Sequence, residues 1–170
     1  EWDLAQQLEA RKIPIVRHVG LGERRTWSGV QESILVTEGF DGVTLGMAPD
    51  VNLQAVLAFV EAMHGHGVLQ TDLHPGNILV SREPFELRLV DLHGTRVVSR
   101  ISPKERRENL AKLRMFISIP VPDEITALSH RLRQEFFQER SLRWIRRNRD
   151  FGQESRGGLE QRFTETGTFF

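Results

Sequence analysis

The chain has 170 residues, no cysteine and a formal net charge of zero. That length can bury a core of its own, the lack of cysteine excludes disulfides and thiolate metal sites, and no apolar run is long enough to span a membrane. A cysteine-free chain is typical of a cytosolic setting, so we expect a cytoplasmic protein with no nucleic-acid partner. Residue 1 is Glu rather than Met, which indicates a piece of a longer protein and leaves an upstream signal open.

The first forty residues predict one helix and two strands. Leu4 and Leu8 share a helical face and Pro14 would end that helix, so residues 1–12 are expected to be its last turns. Two apolar, β-branched runs follow, and they predict strands. These strands span 13–22 and 32–40, and the polar stretch 23–31 is expected to connect them.

The rest of the chain predicts further helices and a hairpin. Apolar residues recur at helical spacing through 51–64, while Ser102 and Glu105 form a capping box that starts a helix ending near residue 116. Asp123 is expected to cap another helix, whose apolar side is Ile125, Leu128, Leu132 and Phe136. The remaining elements are a hairpin pairing 77–80 with 87–91 and a basic helix over 140–149. Because strands and helices do not alternate regularly, the order indicates an α+β fold.

A polar loop separates the helix 51–64 from the hairpin. Its sequence is HGHGVLQTDLHPGNILV, in which Asp72 and Asn77 follow the spacing D-x-x-x-x-N. Asp91 ends the second strand of the predicted hairpin, and antiparallel pairing would bring it close to Asn77. Phosphoryl transfer to a hydroxyl needs one carboxylate to take the proton, and a carboxylate and an amide oxygen to hold Mg²⁺. The loop is therefore predicted to be catalytic, although Asp and Asn also favour ordinary turns.

Five stretches of the sequence resemble one family of kinases. They are RKIPIVRHVGLGE, SILVTEGFDG, DLHPGNILV, LVDLHG and RRENLAKL. The third and fourth look like the catalytic and metal-binding loops of the protein-kinase-like superfamily. Together the five are most similar to the lipopolysaccharide kinase family, which phosphorylates Kdo or heptose of the inner core. The resemblance covers roughly residues 1–150 and implies a protein-kinase-like α+β fold, mostly the helical large lobe with part of the small lobe.

The resemblance implies a role for each residue of the predicted site. Asp72 would be the catalytic base, and Asn77 and Asp91 would hold Mg²⁺ against the phosphates of ATP. A hinge segment would receive adenine on its backbone; it consists of Thr37, Glu38, Gly39 and Phe40. Glu1 would match the helix glutamate that pairs with the ATP-binding lysine.

The sequence departs from the kinase pattern in its phosphate-binding parts. No Gly-rich loop and no strand lysine stand ahead of the first helix, and Lys12, Lys104 and Lys112 are the lysines of the chain. The N-terminal part of the small lobe is therefore expected to be absent from this chain. Because positioning supplies most of the catalysis in phosphoryl transfer, residues 1–170 alone are expected not to turn over ATP.

The resemblance also implies domain limits and a function. A partial kinase-like domain would cover 1–150, with a small-lobe remnant at 1–40 and the large lobe at 41–150, and 151–170 would be a C-terminal extension. The function would be ATP- and Mg²⁺-dependent phosphorylation of a sugar hydroxyl on Kdo or heptose of a glycolipid acceptor. Two alternatives stay open. One is an aminoglycoside- or choline-type phosphotransferase, since such enzymes share D-L-H-P-G-N, and the other is an inactive pseudokinase that binds a partner.

Two groups of residues allow further interpretations. A zinc site is one interpretation of His64, His66, His74 and His93, but the first two flank a glycine at a helix end, where histidine suits the negative terminus. Seven arginines lie between residues 131 and 150. Arg140, Arg143 and Arg147 fall on one side of the predicted basic helix. They would contact anionic lipids at the inner face of the inner membrane, or form an ordinary solvated surface.

Overall fold

The computed structural model describes residues 1–147 and the side chains of residues 1–140. Four helices are present among these residues: α1 Trp2–Ala10, α2 Leu53–Gly65, α3 Pro103–Arg114 and α4 Asp123–Arg147. The strands are β1 His18–Thr26, β2 Gly29–Thr37, β3 Val43–Thr44, β4 Val68–Gln70, β5 Ile78–Arg82, β6 Phe85–Leu89 and β7 Thr95–Val97. Helices and strands are mixed, as the α+β expectation requires, and each predicted helix is present. The last two residues of the predicted basic helix, 148 and 149, lie outside the described residues.

The prediction of a polar connection over 23–31 is wrong. β1 and β2 pair antiparallel through most of it, leaving only Trp27 and Ser28 in the turn. Charged residues are tolerated there because both strands are largely exposed and pair across the hairpin: Arg24 Nε lies 3.1 Å from Glu32 Oε2. The strand expected over 13–22 begins only at His18, since Pro14 and its neighbours follow a different path.

That different path runs along a second sheet, which has the order β3-β5-β6. Leu89 of β6 donates from its N–H to the Pro14 carbonyl at 2.9 Å and accepts from the Val16 N–H at 3.0 Å. The segment before β1 thus extends the edge of the hairpin formed by β5 and β6. A third sheet pairs β4 with β7, and both of these short strands were missed by the sequence prediction.

Capping and burial explain where the helices lie. Asn52 accepts hydrogen bonds from the N–H groups of Gln54 and Ala55 at the start of α2. At the start of α3, Ser102 and Glu105 form the predicted capping box. One apolar core then unites helices and strands, and its fully buried members include Leu8, Val56, Val60, Met63, Val68, Ile78, Leu89 and Leu113.

The chain divides into two units, Glu1–Leu132 and Arg133–Phe170. In the first unit, α4 contributes buried Ile125, with Leu128 and Leu132 packed against the core. In the second, arginines lie over phenylalanine rings: Arg133 over Phe137 at 5.8 Å and Arg140 over Phe136 at 5.5 Å. The lobe limits at residues 40 and 150 stay predictions.

Candidate active site

The loop between β4 and β5 exposes one carboxylate while its apolar residues are buried. Leu73 is 1% exposed and Pro75 is buried, whereas the Asp72 side chain is 80% exposed. A short 3₁₀ turn follows over Pro75–Asn77, and the His74 ring accepts at Nδ1 from the Gly76 N–H at 3.0 Å. The loop is therefore fixed on the core, with Asp72 presented to solvent.

Asn77 is joined by hydrogen bonds to the segments that carry both aspartates. Its Nδ2 donates to the backbone carbonyl of Asp72 at 3.0 Å, and its own carbonyl accepts from the Val90 N–H at 2.9 Å. Val90 directly precedes Asp91. Spacing and hairpin pairing thus bring the segments of Asp72, Asn77 and Asp91 together, as expected from the sequence.

Asp91 has a backbone conformation that is uncommon for a residue with a side chain. Its φ is +54°, in the left-handed region, and its Oδ1 accepts from the His93 N–H at 3.1 Å. Such conformations persist only where surrounding contacts hold them, and they cluster at functional sites. Leu92, which follows, is 2% exposed and anchors the segment.

Gln70 links the two aspartate segments directly, and the sequence interpretation missed it. Its side-chain nitrogen donates to the carbonyls of Asp91 at 2.9 Å and His93 at 3.2 Å. Its side-chain oxygen accepts from the Asp72 N–H at 3.0 Å. The residue is completely buried, so this one amide fixes the relative placement of both segments.

A buried chain of polar groups continues from Gln70 into two helices. Asn109 of α3 donates to the Gln70 carbonyl at 2.6 Å, and its Oδ1 lies 2.8 Å from His64 Nε2 of α2. Burial lowers the pKa of His64, with a smaller contribution in the same direction from the positive charge of Arg106. His64 is therefore a neutral donor to Asn109, and helices α2 and α3 hold the strand that leads to Asp72.

Lys112 lies at the same loop, although it was assigned no role from the sequence. Its Nζ donates to the carbonyl of Thr71 at 2.7 Å, which places an ammonium group beside the residue that precedes Asp72. Thr71 in turn donates from its hydroxyl to the Gly94 carbonyl at 2.9 Å. A positive charge from α3 is thus present at the backbone of the residue that precedes Asp72.

The other predicted site residues lie around β2, α1 and the loop. Thr37 ends β2 opposite His18, and the Glu38 N–H donates to the Arg17 carbonyl at 2.8 Å. Glu1 is exposed and immediately precedes α1. The zinc interpretation of the four histidines finds no support in residues 1–140, where no group of three or more His, Asp or Glu side chains is arranged to hold a metal.

The residues present nevertheless fit a Mg²⁺ ion bound together with phosphates. The Nδ2 of Asn77 donates to the Asp72 carbonyl, which leaves its Oδ1 as the acceptor, and no described residue donates a hydrogen bond to that oxygen. One oxygen of Asp91 holds the His93 N–H, which leaves the second for an ion. Mg²⁺ prefers oxygen ligands and commonly takes only one or two protein groups beside phosphates and waters.

Comparisons with known proteins decide the family. The family model described as "Lipopolysaccharide kinase (Kdo/WaaP) family" matches residues 1–131. This chain belongs to the lipopolysaccharide kinase family. Within that family it shares its fold with a solved structure of WaaP in complex with acyl carrier protein, at a TM-score of 0.54 and 21% identity, covering 86% of this chain and 73% of that chain. No curated protein sequence matches this kinase family member.

The predicted membrane contact of this lipopolysaccharide kinase family member falls largely beyond the described side chains. Arg140 is described and lies over Phe136. Arg143 and Arg147 are in α4, but their side chains lie outside the described residues. In the part of the chain that the structure describes, no helix combines the length and apolar character needed to cross a membrane.

Proposed function

We propose that this protein transfers the γ-phosphoryl group of ATP to a hydroxyl of Kdo or heptose in the lipopolysaccharide inner core. The observation that supports this most is the shared set of hydrogen bonds around Asn77 and Gln70, because it holds the backbone segments of Asp72, Asn77 and Asp91 together. Family membership supports the sugar acceptor. In this proposal the partial kinase domain spans 1–150, with lobes at 1–40 and 41–150.

Asp72 would act as the general base. Its exposed carboxylate takes the proton of the acceptor hydroxyl as that oxygen bonds to the γ-phosphorus, and the bond to the β-phosphate oxygen breaks with ADP leaving. The Nε2 of His74 lies 3.9 Å from Asp72 Oδ2. Because Nδ1 of that ring accepts from Gly76, neutral His74 carries its proton on Nε2. At 3.9 Å the ring contacts the carboxylate without a hydrogen bond.

Asn77 and Asp91 would hold Mg²⁺, which neutralises charge on the β- and γ-phosphates when bound. Through the ion, Asn77 and Asp91 would position the phosphates, while the hinge segment Thr37–Phe40 would bind adenine. The ammonium group of Lys112 would add positive charge near the transferred group.

The test is phosphoryl transfer from radiolabelled ATP by the full-length protein, with Kdo-containing and heptose-containing lipopolysaccharide cores as acceptors. Labelling of one core that needs Mg²⁺ and disappears in Asp72→Asn supports the proposal. Labelling of an aminoglycoside or choline instead would move the protein to the small-molecule alternative. Nucleotide binding without any transfer would favour the pseudokinase.

A further inference from the structure

Arg88 of β6 makes an unusual set of contacts for an arginine on a strand. Its Nε and one terminal nitrogen donate to Glu86 Oε2 at 3.0 and 2.8 Å, and its other terminal nitrogen lies 4.0 Å from Glu38 Oε2. Its guanidinium also lies over the Phe40 ring, 4.8 Å from the centroid. Two of these partners belong to the segment predicted to receive adenine.

The position of Arg88 on its strand directs it toward that segment. Leu87 and Leu89 on either side are buried, so Arg88 projects from the opposite face of the sheet, where it pairs with Leu79 of β5. Its side chain is 26% exposed, compared with 72% for Arg82 on the same hairpin. Arg88 is therefore held by its neighbours, and Asp91 follows three residues later.

The chain just after the hinge segment also packs closely against the hairpin, at Gly42. A Cβ at Gly42 would lie 2.6 Å from the Phe40 ring and would overlap the backbone of Val80. Phe40 thus contacts the Arg88 guanidinium, and a side chain larger than hydrogen does not fit at position 42 beside its ring. These two contacts hold the hinge segment close to the hairpin.

We propose that Arg88 is a positioning residue that ties the hinge segment to the strand leading to Asp91. Through Glu38 and Phe40 it sets where the adenine base lies relative to the phosphate-holding pair Asn77 and Asp91. A cation above an aromatic ring is favoured electrostatically, and a planar guanidinium does this while still pairing with carboxylates. The inference rests on the proposed function, because it assigns this contact to nucleotide binding.

The experiment compares wild type with Arg88→Met, Arg88→Lys and the matched control Arg82→Met, which removes an exposed arginine from the same hairpin. Amide hydrogen exchange of residues 38–42 is measured without ligand. Affinities for adenosine and for Mg²⁺-ADP are measured by calorimetry. Adenosine has no phosphates, so its binding reports on the hinge alone.

Arg88→Met is expected to raise exchange at the hinge and to weaken adenosine binding by a factor of about five. Mg²⁺-ADP binding should weaken by a larger factor, because only ADP contacts both the hinge and the phosphate-holding pair. Arg88→Lys should recover part of this affinity, since it keeps the cation above Phe40, while Arg82→Met should match wild type.

Wild-type affinity in Arg88→Met, or an equal loss in Arg82→Met, would overturn the inference. Failure of the wild type to bind either ligand would refute the proposed function itself. If exchange rises in Arg88→Met but neither ligand binds to wild type, Arg88 holds the hinge segment in place without a role in nucleotide binding.

Discussion

Single residues far apart in sequence determine how the two aspartate segments meet. Gln70 uses both ends of its amide on backbone groups of Asp72, Asp91 and His93, and it is completely buried. A buried backbone group that loses its partner pays its full desolvation cost, because no water replaces the bond. The geometry of the predicted base and metal pair therefore depends on this side chain.

Gln70→Leu keeps the volume of the side chain and removes its hydrogen bonds. We expect the free energy of unfolding to fall by roughly 1–3 kcal/mol, as is typical for unsatisfied buried groups. Urea denaturation measures the loss, and Gln54→Leu, at an exposed glutamine of α2, is the matched control. An effect no larger than that of the control would show that Gln70 does not hold the loops.

The sequence predicted Asp72, Asn77 and Asp91 because their chemistry and spacing are local and tied to a familiar pattern. It missed Gln70, Asn109 and Arg88 for a physical reason. Gln70 and Asn109 meet across 39 positions, and Arg88 reaches Glu38 and Phe40 across about fifty, so no local periodicity or spacing reports the contact.

At the scale of elements, helices α2 and α3 are joined by a titratable group. Burial lowers the pKa of His64 below its ordinary value of 6.5, so the unfolded chain binds a proton more readily than the folded one. The contribution of neutral His64 to the free energy of unfolding is thus fully present above pH 6.5 and is lost as the pH falls through the lowered pKa. The neighbouring Arg106, which donates to the His64 carbonyl, adds to the cost of a charged ring.

We expect the difference in melting temperature between wild type and His64→Gln to depend on pH. Glutamine can still donate to Asn109 but does not titrate, so wild type should lose stability relative to the variant between pH 7 and pH 5. Differential scanning calorimetry over this range measures it, and His66→Gln, at an exposed histidine beside the same helix end, is the control. Parallel pH profiles for wild type and His64→Gln would contradict the assignment.

Elements with strong local signals were predicted, and elements held by tertiary contacts were not. The capping box of α3 and the apolar spacing of α2 are local, so both helices were found. The paired strands β4 and β7 have three residues each and are stabilised by partners distant in sequence. β1 and β2 were misjudged in length because their charged residues form no hydrophobic pattern, although Arg24 and Glu32 pair across the two strands.

At the scale of the whole molecule, the arginines of residues 131–150 bear on where the protein works. If they contact anionic lipid, each contributes roughly 1 kcal/mol near the surface, and the contact weakens with salt. We expect Arg143→Glu with Arg147→Glu to reduce cosedimentation with vesicles containing anionic lipid at low salt. A double variant with the same charge change at exposed Arg100 and Arg107 is the control. Equal binding of all three proteins would assign the arginines to a solvated surface.

The proposed function depends most on the division of roles between Asp72 and Asp91. Mg²⁺-dependent binding of ATP to the full-length protein is measured by calorimetry for wild type, Asp72→Asn and Asp91→Asn, each with and without the metal. Asp91→Asn should lose most of the gain in affinity that Mg²⁺ provides, because a carboxylate oxygen is replaced at the ion. Asp72→Asn should keep that gain while turnover falls by about 10²–10⁴, as expected for loss of a general base. Equal loss of the Mg²⁺-dependent affinity in both variants would contradict the assignment of Asp72 as base and Asp91 as metal ligand.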